Sequence, residues 1–496
     1  MSSLSLWLSL RNWLATRNSV EITTVAIVLG RDVVIQKAEA SLGLAPHQTL
    51  ELLPLIISER GLIGDETTLR RDQRYEWWNK WAKENEFSID LLPETISSPA
   101  LRELSAEPLL LYIIASTKVY EDAAVSKASR YGIYDLVLRR IISNWHNRAQ
   151  KRKATFPSDP TLQMIIELVA CAAWNDGGRV TTIEKVLELA KDNLEIAQSI
   201  DGIVGMQEVF RALLAFYMKL DGQVSSNNVG IEFSHKSFCE FFIARRLIRQ
   251  MSIAIENAEL FRDGGLTLST SPRGHRGINQ VIAGFLANGI AAWPAEARQK
   301  TIQLASNTLQ HFFGKAGKGK LHSSVADHQG TLAIEIALVA LSCLRPSNGE
   351  MTVLNWRATN SAREFFELVM AEQNKSDWHW RHAFTSLIPD EFGTCATHLS
   401  RLDFGGQNLA GVRFTGLNLF GCSFAGCDLS DAAFVDCIVC AASFAHANLQ
   451  SSRWHGTNIT DANFECSEID YADFRFANGR TSPQFSTSRG NERAIF

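Results

Sequence analysis

The clearest candidate for chemistry in this sequence is a histidine. His235 stands in the run Phe233-Ser-His-Lys-Ser-Phe-Cys-Glu-Phe-Phe-Ile-Ala244, after a short apolar strand and before a phenylalanine-faced helix. A histidine at or just before a helix N-terminus can donate to a phosphate beside the helix's unpaired N–H groups. The same position is equally served by a histidine that caps the helix or bonds within the core. Arg31 follows the β-branched run Val20 to Leu29, which has the profile of a buried parallel strand. That places a cation at the carboxyl end of a strand, where α/β sheets bind ligands; a structural ion pair is the alternative. Pro108, in Glu107-Pro-Leu-Leu-Leu111, suits the first turn of a helix but not its interior. It predicts one helix ending near Leu104 and another beginning at Pro108. No nucleophile–base pair accompanies these residues, so no catalytic residue is assigned. Cys437-Ile-Val-Cys440 has the CxxC spacing without a second ligand pair, so no metal site is expected.

The elements that position these residues belong to several domains. A chain of 496 residues is too long for one core, and two to four domains are expected. The composition is that of a globular protein, with 46% hydrophobic and 21% charged residues. A net charge of −4 gives no whole-chain case for nucleic acid or anionic membrane as partner. No apolar run reaches the roughly 20 residues of a membrane span. The N-terminus reads as an amphipathic helix rather than a signal peptide, and the nine cysteines show no disulfide rhythm. A cytoplasmic protein with reduced thiols is expected.

From Leu399 to Phe474 an apolar residue recurs every five positions: Phe404, Leu409, Phe414, Leu419, Phe424, Leu429, Phe434 and so on through Ile469. The sixteen centres never slip in phase. Neither the helical nor the strand period produces this spacing. Two positions before each centre the residue is small from Cys422 onward, and the one just before it is often Asn or Asp, as at Asn408, Asp428 and Asn458. Large and small inward residues separated by turn formers describe a narrow coil with tight corners. Stretches such as Ala447-Asn-Leu-Gln-Ser451 and Ala462-Asn-Phe-Glu-Cys466 resemble the pentapeptide-repeat family. The resemblance implies a right-handed quadrilateral β-helix with five residues per side, hence four coils. Aromatic and aliphatic centres would then occupy opposite pairs of sides. The larger residues Leu402, Gln407, Val412 and Leu417 at small positions suggest a capping coil. Nine acids against four arginines between Leu399 and Arg475 allow either a solvated face or DNA mimicry, as in pentapeptide proteins that bind topoisomerases.

The N-terminal half reads as helices with occasional strands. Helices are expected over Arg70 to Lys83, Gln207 to Leu220 and Gln280 to Ile290, with a hairpin leading to the strand Gly230–Phe233. Ser237 and Glu240 have capping-box spacing at the start of the following helix. Phe233 to Ala244 resembles the end of the winged-helix domain of NACHT-type signal-transduction (STAND) ATPases. Glu107-Pro108-Leu-Leu-Leu111 is similar to their G-x-P motif, and Ile27-Val-Leu-Gly-Arg31 to their sensor-1 strand and arginine. The resemblance implies a nucleotide-gated switch: Arg31 near the terminal phosphate, Pro108 by the base, and His235 at the β-phosphate of ADP in the resting state. The family's P-loop is missing, and no acidic Mg²⁺-binding strand precedes Arg31. Gly314-Lys-Ala-Gly-Lys-Gly-Lys320 lacks the spacing and the hydroxyl residue, and it reads as a basic loop. The family's first motifs would lie before Met1. Autonomous ATP hydrolysis is therefore not expected. ADP or ATP with Mg²⁺ would be a cofactor only of a full NACHT domain.

The expected fold is multidomain and mainly α, followed by the β-helix. Residues 1–100 would be an ATPase remnant with its helical lid, 101–250 a winged-helix-like domain and 251–390 a helical linker. Residues 391–478 would be the β-helix and 479–496 a disordered tail. The expected function is a regulatory or sensor protein, with bacterial stress or antiphage signalling as a setting by analogy. A protein partner or ligand would bind the repeat and helical domains, and the chain could form homo-oligomers. The rival reading is a scaffold or DNA-mimic-like binding protein acting through the β-helix. The cluster Trp378, His379, Trp380, Arg381 and His382 could be a binding surface or a domain-junction plug.

Overall fold

The computed structural model describes residues 55, 72–85, 91–102, 104–152, 159–175, 180–191, 218–221, 230–233, 235–256, 278, 280–313, a few short stretches between 336 and 399, and 401–496. The chain divides into two compact units: residues 1–96 with 102–111, and residues 97–101 with 112–496. The described residues are mainly helical up to Phe313 and a β-helix from Arg401.

In the first unit, α1 (Arg74–Glu84) buries Trp78 and stacks Trp77 on Trp81. Arg74 is buried as well. Its guanidinium binds both oxygens of Asp72 and donates to Ile96 O at 3.2 Å and to Ser105 Oγ at 2.7 Å. A buried charge persists only when paired in this way. Burial pushes the Asp72 carboxyl up, but the hydrogen bonds and charge of Arg74 outweigh it and hold the group below the usual carboxylate range. The break expected near Leu104 is present. A 3₁₀ turn covers Leu104–Ala106, and α2 (Pro108–Thr117) opens on the proline.

The helical part of the second unit contains α3 (Arg130–Arg152), α4 (Asp159–Asn175), β1 (Val180–Thr182), α5 (Ile183–Lys191), β2 (Met218–Asp221), β3 (Gly230–Phe233), α6 (Lys236–Ala254), α7 (Gln280–Ala291) and α8 (Ala295–Phe313). The strands form an antiparallel sheet in the order β1-β3-β2. Met218 to Leu220, expected as the end of a helix, are strand. Pairing with β3 overrides their helical periodicity, as tertiary context commonly does. α6 is the hub, buried at Ser237 to Ala244, Leu247, Ile248, Met251 and Ala254, and packed on α4 and α7. A helix buried on nearly all sides is a core helix. A buried ion network ties it to its neighbours. Arg245 pairs with Asp135 of α3 and donates to Gln163 of α4 at 2.7 Å. Glu167 of α4, with no exposed surface, lies 3.3 Å from Arg245 and 2.8 Å from Arg249.

The C-terminal part winds as a parallel β-helix. Bridges join residues twenty apart, such as Asn408↔Asp428, Asp428↔Asn448 and Asn448↔Glu468, so each coil has four five-residue sides. All the centres are buried. Phe404, Phe424, Phe444 and Phe464 stack at 5.2 Å, and Phe414, Phe434, Trp454 and Phe474 at 4.1–5.3 Å. The two columns meet edge to face across the core, for example Phe434 against Phe444 at 88°. Each buried Phe contributes roughly 2–3 kcal/mol. Every corner from Arg401 to Tyr471 has positive φ two residues after the centre. Most are β-turns closed by a bond from the N–H three residues after a centre to the centre's carbonyl, as Ala442 to Val439. The Asn, Asp and Ser residues before the centres accept from the N–H two residues on, as Asn458 does from Thr460 at 3.1 Å. That bond is the physical reason for their recurrence.

The solenoid is capped at both ends. At its start, β4 (Thr352–Val353) pairs in parallel with β5 (Leu402–Asp403). Phe366 sits under Phe404 and Phe414 at 4.7 and 4.8 Å. Gln407, the odd residue at a small position, accepts from Ala362 N at 3.1 Å. At the other end, residues 479–496, expected to be disordered, continue the winding. Glu468 bridges Arg489 and Asp473 bridges Ile495, one and two residues beyond the twenty-residue register. The slips let Phe485 stack on Phe464 at 4.8 Å and Phe496 on Phe474 at 5.7 Å.

Two substitutions test the corner geometry. Ala441 occupies a corner at φ 55°, where an L side chain costs roughly 1–2 kcal/mol. Ala441→Gly should therefore slow hydrogen exchange in the flanking coils. Gly479→Ala should speed it, because the new Cβ would meet Thr460 Oγ1 at 2.1 Å and its backbone N at 2.9 Å.

Candidate functional site

β3 delivers His235 to the start of α6. Ile231 and Phe233 are buried and Phe233 packs on Phe242 at 6.2 Å, so strand and helix are fixed on either side of the histidine. His235 is the N-cap, with φ −128° and ψ 130°. Its Nδ1 accepts from Ser237 N at 3.2 Å and lies 2.5 Å from Ser237 Oγ. Ser237 Oγ in turn lies 2.7 Å from the hydroxyl of Tyr134, held by Phe238, Phe241 and Phe285. Since Nδ1 accepts from a backbone N–H, the neutral ring carries its proton on Nε2. The expected Ser237–Glu240 capping box is displaced. His235 takes the capping role, Ser237 lies inside the first turn and Glu240 pairs with Lys236 at 3.2 Å. Burial pushes the Tyr134 hydroxyl above its usual value, against the lowering effect of the Ser237 bond.

The other assigned residues are not brought to this histidine by anything described. Pro108 is exposed at the first position of α2, in the other unit. Arg31 and the strand before it lie outside the described residues, as do Trp378 to His382 and the basic Gly314–Lys320 loop. Tyr134 and the Asp135–Arg245–Glu167 network escaped the sequence reading. Glu167 carried a signal, as the only charge in the apolar run from Leu162 to Trp174.

The solenoid offers outer faces only, because its interior is filled. Cys437 points inward, where its Sγ donates to Val435 O at 3.4 Å, and burial pushes its thiol, like that of Cys427, up to about 12. Among the described residues no group of His, Cys, Asp and Glu is arranged to hold a metal, and no helix is long and apolar enough to cross a membrane. The side built on Leu409, Leu429, Leu449 and Ile469 carries Asp428, Asp431, Glu468 and Asp470. Two of these acids are met by the terminal coil, Glu468 by Arg489 at 3.8 Å and Asp470 by Arg493 at 2.9 Å. The side built on Phe414, Phe434 and Trp454 differs from the other three. There β6 (Arg413–Thr415), β7 (Ala433–Val435) and β8 (Arg453–His455) form a three-stranded parallel sheet.

Residues 397–474 match the family model described as a pentapeptide repeat region, and this segment is such a region. Solved structures with similarity include a pentapeptide repeat protein of the Arabidopsis thaliana thylakoid lumen (29% identity, 18% of this chain and 60% of that one, TM-score 0.16). HetL, a pentapeptide repeat protein involved in heterocyst differentiation regulation in the cyanobacterium Nostoc, shares 17% identity over 15% of this chain and 50% of its own (TM-score 0.10). Rfr23 from the cyanobacterium Cyanothece shares 17% over 20% and 83% (TM-score 0.12). The chain thus spans 60% and 50% of the length of the first two. No curated protein matches it.

Two measurements check these sites. His235→Ala should lower the stability of the helical part by about 1 kcal/mol in urea unfolding, while His235→Asn, which can still cap, should lose far less. The thiols give a pH effect. An unfolded thiol titrates near about 8.5, whereas those of Cys427 and Cys437 are raised to about 12. Native protein holds these protons longer, so their contribution is complete below about pH 8.5 and is lost as pH rises toward 12. The solenoid's urea midpoint should therefore fall on going to alkaline pH, and the Cys427→Ala/Cys437→Ala variant should flatten that slope.

Proposed function

We propose that this chain is a regulatory protein of the NACHT signal-transduction type, whose pentapeptide-repeat solenoid is its partner-binding module. The observation that carries the binding part is the solid interior of the solenoid. Inward positions hold stacked aromatics, aliphatics and small residues that are buried against one another, so whatever the solenoid recognises meets its outer faces. The regulatory part rests on the helical module. A helix, a strand, a second helix, a hairpin and the long α6 follow in the order of a winged helix. With Nδ1 accepting from Ser237 N, a neutral His235 carries its proton on Nε2, the tautomer that a phosphate oxygen would require. The donor chemistry of His235 fits a nucleotide diphosphate. The phosphate cradle itself has no counterpart in these 496 residues, so this chain is proposed not to hold ADP or ATP by itself. In this reading, capture of a partner by the solenoid releases the His235-centred resting state.

The DNA-mimic alternative is disfavoured by Arg489 and Arg493, which neutralise the C-terminal half of the most acidic side. The reading is tested by placing a photo-crosslinking residue at one outward position on each side, Ala445, Gln450, Ala433 and Thr460, in the full chain in its source cells. A discrete adduct from at least one side is expected. Failure of all four, with adducts formed only from the helical module, would overturn it.

A further inference from the structure

The three strands β6–β8 carry six outward residues in two rows, Arg413, Ala433, Arg453 and Thr415, Val435, His455. None is acidic, although nine acids face four arginines between Leu399 and Arg475. Arg413 and Arg453 are exposed, and neither side chain makes an ion pair or hydrogen bond among the described residues. Their neighbour Arg475 is committed to Asp473 at 2.7 Å, and the one other carboxylate at this side, Asp436, stands at the corner beyond Val435. The acids of the adjoining Leu409 side are partly answered from within the chain by Arg489 and Arg493, whereas these two guanidiniums are not. A second copy of the chain therefore has less to offer them than a separate acidic partner. Residues 399–496 contain no lysine, so every cation here is a planar fork suited to bidentate carboxylate recognition.

We propose that the outward face of β6–β8 is a docking surface for an acidic peptide segment in the extended polyproline-II conformation. Arg413 and Arg453 lie two coils apart, about 9.6 Å at the spacing of adjacent strands. A polyproline-II segment repeats every third residue with a rise of about 3.1 Å, so acids at i and i+3 stand on one side about 9.3 Å apart. A β-strand cannot match this, because its i and i+3 side chains point to opposite faces. Ala433, between the two arginines, and Val435, beside it in the second row, are half-buried and form a shallow apolar floor for the intervening residues. The inference rests on the solenoid being the binding module and adds which side is used and what it recognises.

The test is fluorescence anisotropy of the full chain with a labelled repeating Glu-Pro-Pro peptide. The control is a peptide of equal composition with its glutamates in one block. The repeat peptide should bind more tightly than the block, and more weakly at high ionic strength. Arg413→Gln/Arg453→Gln should weaken it at least about tenfold, as loss of charged hydrogen bonds predicts, while Arg480→Gln leaves it unchanged. Thermal melts of the variants confirm that exposed substitutions leave the fold intact. Absence of binding, equal binding of the block, or indifference to the double substitution would overturn the proposal. So would equal or tighter binding of an oligothymidylate, which would identify the surface as a phosphate reader. If the peptide fails while crosslinks form from other sides, this inference falls and the binding-module reading stands. If all four sides fail and adducts form only from the helical module, the reading itself falls.

Discussion

A chain that returns to hydrogen-bond its own backbone after twenty residues must turn four corners in each coil, and every corner needs a residue with positive φ. The rest of the solenoid depends on this return. Amides such as Phe404 N, Phe424 N and Phe444 N donate to carbonyls of the next coil, and intervening amides donate back to the coil before. With the ladder fixed, the centre of each five-residue side has only one direction to point, into the coil. Stacking of like residues follows, because the next centre on the same side is always one strand spacing away. The corners tolerate Asp431, Ala441, His446 and Tyr471 as well as glycine. The ladder and the aromatic columns together outweigh the conformational cost at each corner.

This geometry divides labour between inside and outside. The interior is committed to packing, so chemistry on the thiols or aromatics there would have to break the ladder first. Outward residues are nearly independent of the fold and can differ from side to side, and so arginines come to share one face while acids occupy another. A stack of identical coils also leaves an open ladder at each end. Phe366 and Gln407 close the first and residues 479–496 close the last, as solenoids require.

The helical part is organised around α6. Its N-terminus is closed by a histidine rather than by a small hydroxyl residue, and that choice fixes the ring's tautomer through the backbone of Ser237. Farther along, Arg245 and Arg249 fasten the same helix to α3 and α4 through Asp135 and the fully buried Glu167. Removing one partner from such a network would strand a buried charge, which sets the register between these helices firmly. His235 thus sits at the end of an element with little freedom to shift by itself.

The five-residue period by itself determined a narrow coil with tight corners and alternating aromatic and aliphatic centres, and its resemblance to pentapeptide repeats implied the four-sided β-helix. Helices around Trp78, Pro108 and Phe285 were legible for the ordinary reason that their apolar residues recur at helical spacing. What the period could not reveal was decided by contacts between residues far apart in sequence. Residues 479–496 have the composition of a tail, yet Phe485 and Phe496 reach the aromatic columns after slips that no periodic reading anticipates. Met218 to Leu220 became strand because β3 was there to pair with them. His235 displaced the Ser237 cap because Tyr134, about a hundred residues earlier in sequence, engages the serine hydroxyl. Local sequence sets the period and the propensity. The partner of each polar group is chosen in three dimensions, where burial makes an unpaired donor or acceptor too costly to leave.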